Sequence, residues 1–212
     1  DIIKGIAMPF ILARNPESED MVASTHYDFG DFNLKLVHIL GPTSKLSLSA
    51  YYGQDLLTAK MKMSEEYEDG SSALNNMNER TKWGNALVSL KWNRYWMDNG
   101  WSTESKLYYT NYSSDIFSRM EMIEKNVYED GTKMTTALNL EERNFTRIHD
   151  FGFDSDWLKE IIDQHKIRTG IGGIAHFYDP YRYMDLVVKA NGRPAYKENT
   201  NSSLSYIGGE LG

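Results

Sequence analysis

The most regular stretch of the chain is residues 82–117, KWGNALVSLKWNRYWMDNGWSTESKLYYTNYSSDIF. Apolar and polar positions alternate on both sides of a tight polar turn, Asp98-Asn99-Gly100. Alternation with period two marks a strand that shows one face to an apolar environment and the other to water. In the first arm Ala86, Val88, Leu90 and Trp92 share one face, opposite Asn85, Ser89, Lys91 and Asn93. In the second, Leu107, Tyr109 and Ser113 oppose Glu104, Lys106, Tyr108 and Thr110. The pattern predicts an antiparallel hairpin of residues 83–96 on 102–116, with arms about three times the roughly 5–6 residues of a soluble strand.

The same period recurs along the chain. In FNLKLVHIL (32–40), Phe32, Leu34 and Leu36 oppose Asn33 and Lys35. A Gly41-Pro42 turn over 41–45 then leads into a strand with Leu46, Leu48, Ala50 and Tyr52 against Ser47, Ser49, Tyr51 and Gly53. Within 137–157, Phe151, Phe153 and Trp157 face away from Asp150, Asp154 and Asp156. In 165–177, Ile167, Thr169, Ile171, Ala175 and Phe177 oppose Lys166, Arg168 and His176. LKEIIDQ (158–164) differs: Leu158, Ile161 and Ile162 have helical spacing, which predicts a turn of helix in a short connection. Residues 61–80, 118–136 and 178–201 lose the period and are polar, so they read as long loops, with a last strand beginning near Ser203. Residues 1–26 are ambiguous, an apolar run IIKGIAMPFILA followed by a polar loop, RNPESED. The reading is all-β: an up-and-down antiparallel meander of seven or eight long strands, with short turns at 41–45, 97–101 and 158–164 alternating with long loops.

Strand length bears on the class of protein. An arm of about fifteen residues spans roughly 50 Å and, tilted by ~45°, rises roughly 35 Å, which exceeds the ~25 Å apolar band of a membrane barrel. The surplus would project as a β-ribbon. Trp92, Trp96 and Trp101 bracket the turn, where an interfacial aromatic girdle would sit. A soluble barrel also alternates, and there the three rings would be ordinary hairpin core. Both a membrane barrel and a soluble all-β ligand-binding domain stay open on pattern alone.

Composition narrows the function classes. Of 212 residues, 41% are hydrophobic and 25% charged, which is not a disordered composition. Aromatics reach 13%, led by 14 Tyr. A net charge of −7 argues against a nucleic-acid partner. Without Cys there is no disulfide framework and no thiolate site. No run approaches the ~20 apolar residues of a membrane helix, which excludes helical spanning alone.

Candidate chemistry is sparse. The glycines of TGIGGIAHF lie inside an alternating strand, whereas a dinucleotide loop needs strand, turn and helix in order. There they predict a bend or a close approach. Asp154 and Asp156 put two carboxylates on one face, a pattern that suits a divalent cation or, more commonly, a solvated face. The five His (26, 38, 149, 165, 176) lack zinc spacing, and there is no G-x-S-x-G elbow. NYS, NFT and NSS match the glycosylation sequon, a three-residue pattern that also arises by chance. The Tyr-rich, acidic loops offer aromatic faces suited to sugars and other flat ligands. No catalytic, cofactor-binding or metal-ligating residue is expected, and no ligand-binding residue can be named.

Several of these motifs resemble one family. Tyr51-Tyr52-Gly53-Gln54-Asp55, Trp83-Gly84-Asn85, Lys91-Trp92-Asn93 and His165-Lys166-Ile167-Arg168-Thr169-Gly170 are similar, in order and spacing, to barrel strands of TonB-dependent outer-membrane receptors of the Bacteroidetes kind. The resemblance covers about residues 27–180. Receptors of this family carry a plug domain and a barrel of roughly 22 strands. The resemblance therefore implies that residues 1–212 are a single segment from the middle of the barrel, without the plug. Both ends fit that expectation, the chain opening at Asp1 and closing on what reads as the start of a strand. It further implies a non-enzymatic part in uptake of a nutrient ligand across the bacterial outer membrane. The implied partners are outer-membrane lipid, the rest of the barrel and its plug, a TonB-type energy-transducing protein reached through the parent chain, and the ligand. No cofactor is implied.

Overall fold

The computed structural model describes residues 21–162 and 165–212. They form β1 (Met21–Gly41), β2 (Ser44–Glu66), β3 (Ser72–Trp96), β4 (Trp101–Val127), β5 (Lys133–Ile162), β6 (His165–Ala190), β7 (Arg193–Ser203) and β8 (Tyr206–Leu211). Each strand pairs antiparallel with the next from β1 to β7, and β8 pairs with β6. This is the expected all-β up-and-down meander. Among the described residues the sheet is not closed, since β1 pairs only with β2 and the other edge is formed by β7 and β8.

The expected hairpin forms, and it is longer than the alternation showed. β3 and β4 pair without a break from Trp96↔Trp101 to Ser72↔Lys125. Gly100 takes φ 64°, a conformation most side chains avoid, and its N–H donates to the Trp96 carbonyl at 3.0 Å. The turn between β1 and β2 is Pro42-Thr43, within the expected span.

Three expected loops are strands instead. Residues 61–80 become the end of β2, a five-residue turn and the start of β3. Residues 118–136 do the same for β4 and β5, and 178–201 become most of β6, a two-residue turn and the start of β7. The first two turns are near copies, Tyr67-Glu-Asp-Gly-Ser71 and Tyr128-Glu-Asp-Gly-Thr132. In each, the Tyr N–H bonds the last residue's carbonyl, at 3.0 and 2.9 Å, and the Asp carboxylate accepts that last residue's N–H, at 2.8 and 2.9 Å. Gly70 and Gly131 supply φ 82° and 80°. The third turn is Asn191-Gly192 with φ 48° and 76°, the two positive values a type I′ hairpin requires. The helical turn expected over 158–164 is also overturned: residues 158–162 end β5, held by cross-strand pairs such as Leu158↔Arg168 and Lys159↔Ile167. Residues 163–164 lie outside the described residues, as does the ambiguous stretch 1–20; residues 21–26 are strand.

Pro180 explains the break between β7 and β8. Tyr181 pairs with Ser203 and Tyr178 with Tyr206, so the gap at 204–205 faces residues 179–180. Pairing with β5 runs through Thr146↔Pro180 undisturbed. The missing proline N–H therefore falls on the edge side, where the ladder tolerates it. The Ser205 hydroxyl donates to Asp179 at 2.8 Å across the gap.

β1 to β6 are 21–30 residues long, against the ~9–11 that a tilted strand needs to cross a bilayer. The sheet is a single layer. Among the described residues only Ala59, 8% exposed, counts as buried and apolar. Every other apolar side chain described is at least partly open.

Candidate functional site

The register assigns every residue to one of two faces: face A carries Val88 and face B carries Ser89. On face A, Leu36, Leu48, Leu90, Leu107 and Phe153 form one cross-strand row, and Leu34, Ala50, Val88, Tyr109, Phe151 and Ala175 form the next. Leu107 is 61% exposed and Leu36 55%. Trp92, Trp96, Trp101 and Trp157 also lie on face A, toward the end of the sheet that holds the 42–43 and 97–100 turns. The sequence-predicted face partners in these strands all fall as expected. Polar groups within this belt satisfy each other: Ser105 and Ser155 share a hydrogen bond of 2.7 Å, and the Tyr109 hydroxyl meets His149 Nδ1 at 2.7 Å.

Behind the apolar belt, face B is a ladder of ion pairs. Lys91 meets Glu104 at 2.9 Å, and Asn93 donates to the same carboxylate at 2.7 Å. Lys106 meets Asp154 at 3.0 Å, Arg168 meets Asp156 at 3.2 Å, and His176 meets Asp150 at 2.7 Å. The Asp154 and Asp156 pair is thus taken up by two cations, and the described residues contain no group of three His, Cys, Asp or Glu side chains suited to a metal ion. Gly170 and Gly172 face these carboxylates directly; a Cβ at either would come within 2.8 Å of a carboxylate oxygen. That is the close approach the glycine-rich run predicts. Cations here are held by fixed partners, so the wall presents alternating charge rather than one sign.

Further along face B lies an aromatic group. Tyr27 stacks on Phe29 at 5.9 Å and on Trp83 at 6.3 Å between centroids. The Tyr27 hydroxyl donates to Asp55, and the Tyr51 hydroxyl donates to Asp31 at 3.0 Å. Flat rings flanked by carboxylates can stack on a planar or sugar-like ligand and accept its hydroxyl protons. β1 brings Tyr27 and Phe29, and β3 brings Trp83, so no contiguous motif signalled the cluster.

Beyond the belt the two faces exchange character. Met61, Met77, Met120, Leu140 and Leu186 form a single row on face B, while Lys60, Arg80, Arg119 and Arg143 stand on face A. Burial there raises the carboxyl of Glu79, on face B beside Ala59, above the usual carboxylate range.

No protein-family model matches the chain, and no curated protein matches it. Among solved structures there is weak likeness to outer-membrane receptors. The ferric yersiniabactin uptake receptor FyuA from Yersinia pestis is 11% identical, covering 93% of this chain and 40% of its own, with a TM-score of 0.17. The siderophore receptor PiuA from Acinetobacter baumannii is 7% identical, covering 90% and 46%, with a TM-score of 0.19. The ferric preacinetobactin receptor BauA from the same organism is 5% identical, covering 89% and 44%, with a TM-score of 0.18. The chain spans less than half the length of each. Scores this low align no individual residues, so the function has to be argued from the faces of this sheet.

Proposed function

We propose that this sheet is a section of the wall of an outer-membrane β-barrel receptor of the TonB-dependent kind, serving uptake of a nutrient ligand. The observation that supports it is the exposed apolar belt of face A in a single-layer sheet with an ion-paired face behind it. In water such a belt would be an uncovered patch across six strands. In a bilayer it is satisfied by lipid, and face B lines a lumen. The strands run about twice as far past the belt toward the 67–71 and 128–132 turns as toward the 42–43 and 97–100 turns, and barrels of this class extend furthest on the extracellular side, so in this reading those long ends project outward. The open edges need the rest of a barrel, because an unpaired edge cannot sit in lipid. Plug, energy-transducing protein and ligand are the partners this reading requires. The chain's own part is structural and non-catalytic, with the aromatic group and the ion-pair ladder available to ligand or plug.

Single cysteines at 86, 88 and 90, in a chain that has none, test the reading in membranes. They are expected to react with a membrane-dissolved maleimide and resist a water-soluble one, with cysteines at 89, 91 and 93 behaving oppositely. Equal reaction of both sets with the water-soluble reagent would identify a soluble all-β ligand-binding domain instead.

A further inference from the structure

Methionine is sorted by face. Of the ten Met in the chain, Met8 lies outside the described residues and Met97 sits in a turn. The other eight are on strands, and all eight stand on face B beyond the belt. Face A carries none among the described residues: its apolar belt is built from Leu, Val, Ala and aromatic side chains. Apolar character alone does not explain this, since Leu would fill either face. What a thioether adds is a soft, polarisable sulfur.

Five of these sulfurs gather on three neighbouring strands. Met61-Lys62-Met63 on β2 and Met120-Glu121-Met122 on β4 share one spacing, which on a strand puts both Met on the same face. Between them β3 contributes Met77. Met61, Met77 and Met120 are direct cross-strand partners. Cβ atoms so paired stand about 4.5–5.5 Å apart from strand to strand. In the next row Met63 and Met122 flank Asn75. All five thioethers are half-buried. Asn75 Oδ1, alone among the buried side-chain polar atoms described, has no hydrogen-bond partner.

The surroundings favour a cation. Across β1 to β7, the four face B rows from Ala59–Glu79–Ser118 to Glu65–Ala73–Glu124 hold the carboxylates of Glu65, Glu79, Glu124, Glu142 and Glu198. Against them stands one cation in those rows, Arg193 on the edge strand. Of the five, only Glu142 is ion-paired among the described residues, with Arg182 of the next row at 3.1 Å. No three His, Cys, Asp or Glu side chains converge there, so zinc lacks the thiolate, imidazole and carboxylate set it takes. Neutral thioethers instead suit a soft ion such as Cu(I).

We propose that Met61, Met77 and Met120 bind a soft monovalent cation of the Cu(I) class, with Met63 and Met122 closing one side and Asn75 Oδ1 as a weak further donor. Unbranched side chains with three rotatable bonds let the outer two sulfurs lean over Met77. The neighbouring carboxylates supply the negative charge that thioethers lack. The site follows from the register of β2 to β4 and needs no lipid on face A. In the barrel reading it stands on the lumen wall beyond the belt.

The test titrates Cu(I), without oxygen, into the intact barrel that carries this sheet, in uncharged detergent and against a chromogenic Cu(I) chelator. The parent is expected to hold one Cu(I) more than Met61→Leu/Met77→Leu/Met120→Leu. Met77→Leu alone conserves side-chain volume and should weaken that ion at least tenfold. Met134→Leu/Met184→Leu, which removes two sulfurs from the same face outside the site, should change nothing. Zn²⁺ in excess should not displace the ion. X-ray absorption of the parent's bound copper should show sulfur neighbours, a readout that needs no variant. A parent that yields all its copper to the chelator, Met77→Leu binding as the parent does, equal loss in the Met134 and Met184 variant, displacement by Zn²⁺, or only nitrogen and oxygen around the copper would overturn the inference. A Val88→Cys probe that reacts from water would end the barrel reading and leave this site standing.

Discussion

Tyr108 lies flat over Gly152, its direct cross-strand partner on β5, and a Cβ added at Gly152 would overlap its ring. Lys106 Nζ sits 4.7 Å from the centroid of the same ring while pairing with Asp154. An aromatic side chain over a bare glycine restores contact that the strand would otherwise lack, and it fixes register. Gly152→Ala should therefore destabilise the sheet by about 1–3 kcal/mol, as overpacking does. Tyr108→Ala should cost less in the Gly152→Ala background than in the parent. Urea midpoints of the four proteins in detergent give the cycle, and strict additivity would show that the two residues do not touch.

The faces should differ in their tolerance of charge. Val88→Arg, in the middle of the apolar belt, is expected to cost about 2–4 kcal/mol in a bilayer. Ser89→Arg, one residue along and on the ion-paired face, should cost much less. Folding yield and urea midpoint of the intact barrel that carries this sheet, in lipid bilayers, check this. Comparable costs at both positions would show that face A is not in hydrocarbon.

The alternation made the belt readable and hid the half of the sheet that runs toward the 67–71 and 128–132 turns. From Leu46 to Tyr52 and from Ala86 to Trp92 one face is apolar and the other, Leu87 apart, carries polar groups or Tyr, so the period shows. From Asn75 to Arg80 both faces carry Asn, Glu or Arg with a single Met, and composition reads as loop. These segments are strands because neighbouring strands complete their backbone ladder, a long-range cause that local pattern does not contain. The turns did leave a signal: Tyr67–Ser71 and Tyr128–Thr132 repeat nearly residue for residue, and Asn191-Gly192 is the commonest I′ pair. LKEIIDQ misled because three apolar residues at helical spacing are too few to outweigh pairing with β6. The aromatic group on face B was not legible, since Tyr27 and Trp83 meet only across β2.

Hydrogen bonding in the repeated turns gives a pH signature. The Thr132 backbone N–H donates to the Asp130 carboxylate at 2.9 Å and holds its pKa below the usual carboxylate range. A depressed acid stabilises the folded turn above its unfolded pKa, and that contribution is lost as pH falls through the lower folded value. The carboxyl resonance of Asp130 should titrate at lower pH than an Asp in an unfolded peptide. Thr132→Pro, which removes the N–H, should bring it back toward the ordinary value. A midpoint unchanged by that substitution would discard the cause.

Glu79 should show the opposite sign. It sits beyond the belt on face B, paired across the sheet with Ala59 and Ser118, and burial raises its pKa above the reference of 4.5. The folded state then holds this proton more tightly than the unfolded chain does. Folding stability is highest where both states are protonated and falls as pH rises from the unfolded pKa through the raised folded one. Glu79→Gln removes the charge without changing the shape, so it should stabilise the protein at pH ~8 and make almost no difference at pH ~4. Urea midpoints of parent and variant at the two pH values, in the same detergent, decide it. An equal gain at both would mean the glutamate is disfavoured for its packing rather than its charge. A loss at pH ~8 would mean the ionised carboxylate has a favourable partner on face B, and Glu79 would then belong with the ion-pair ladder instead of the apolar row around Met77.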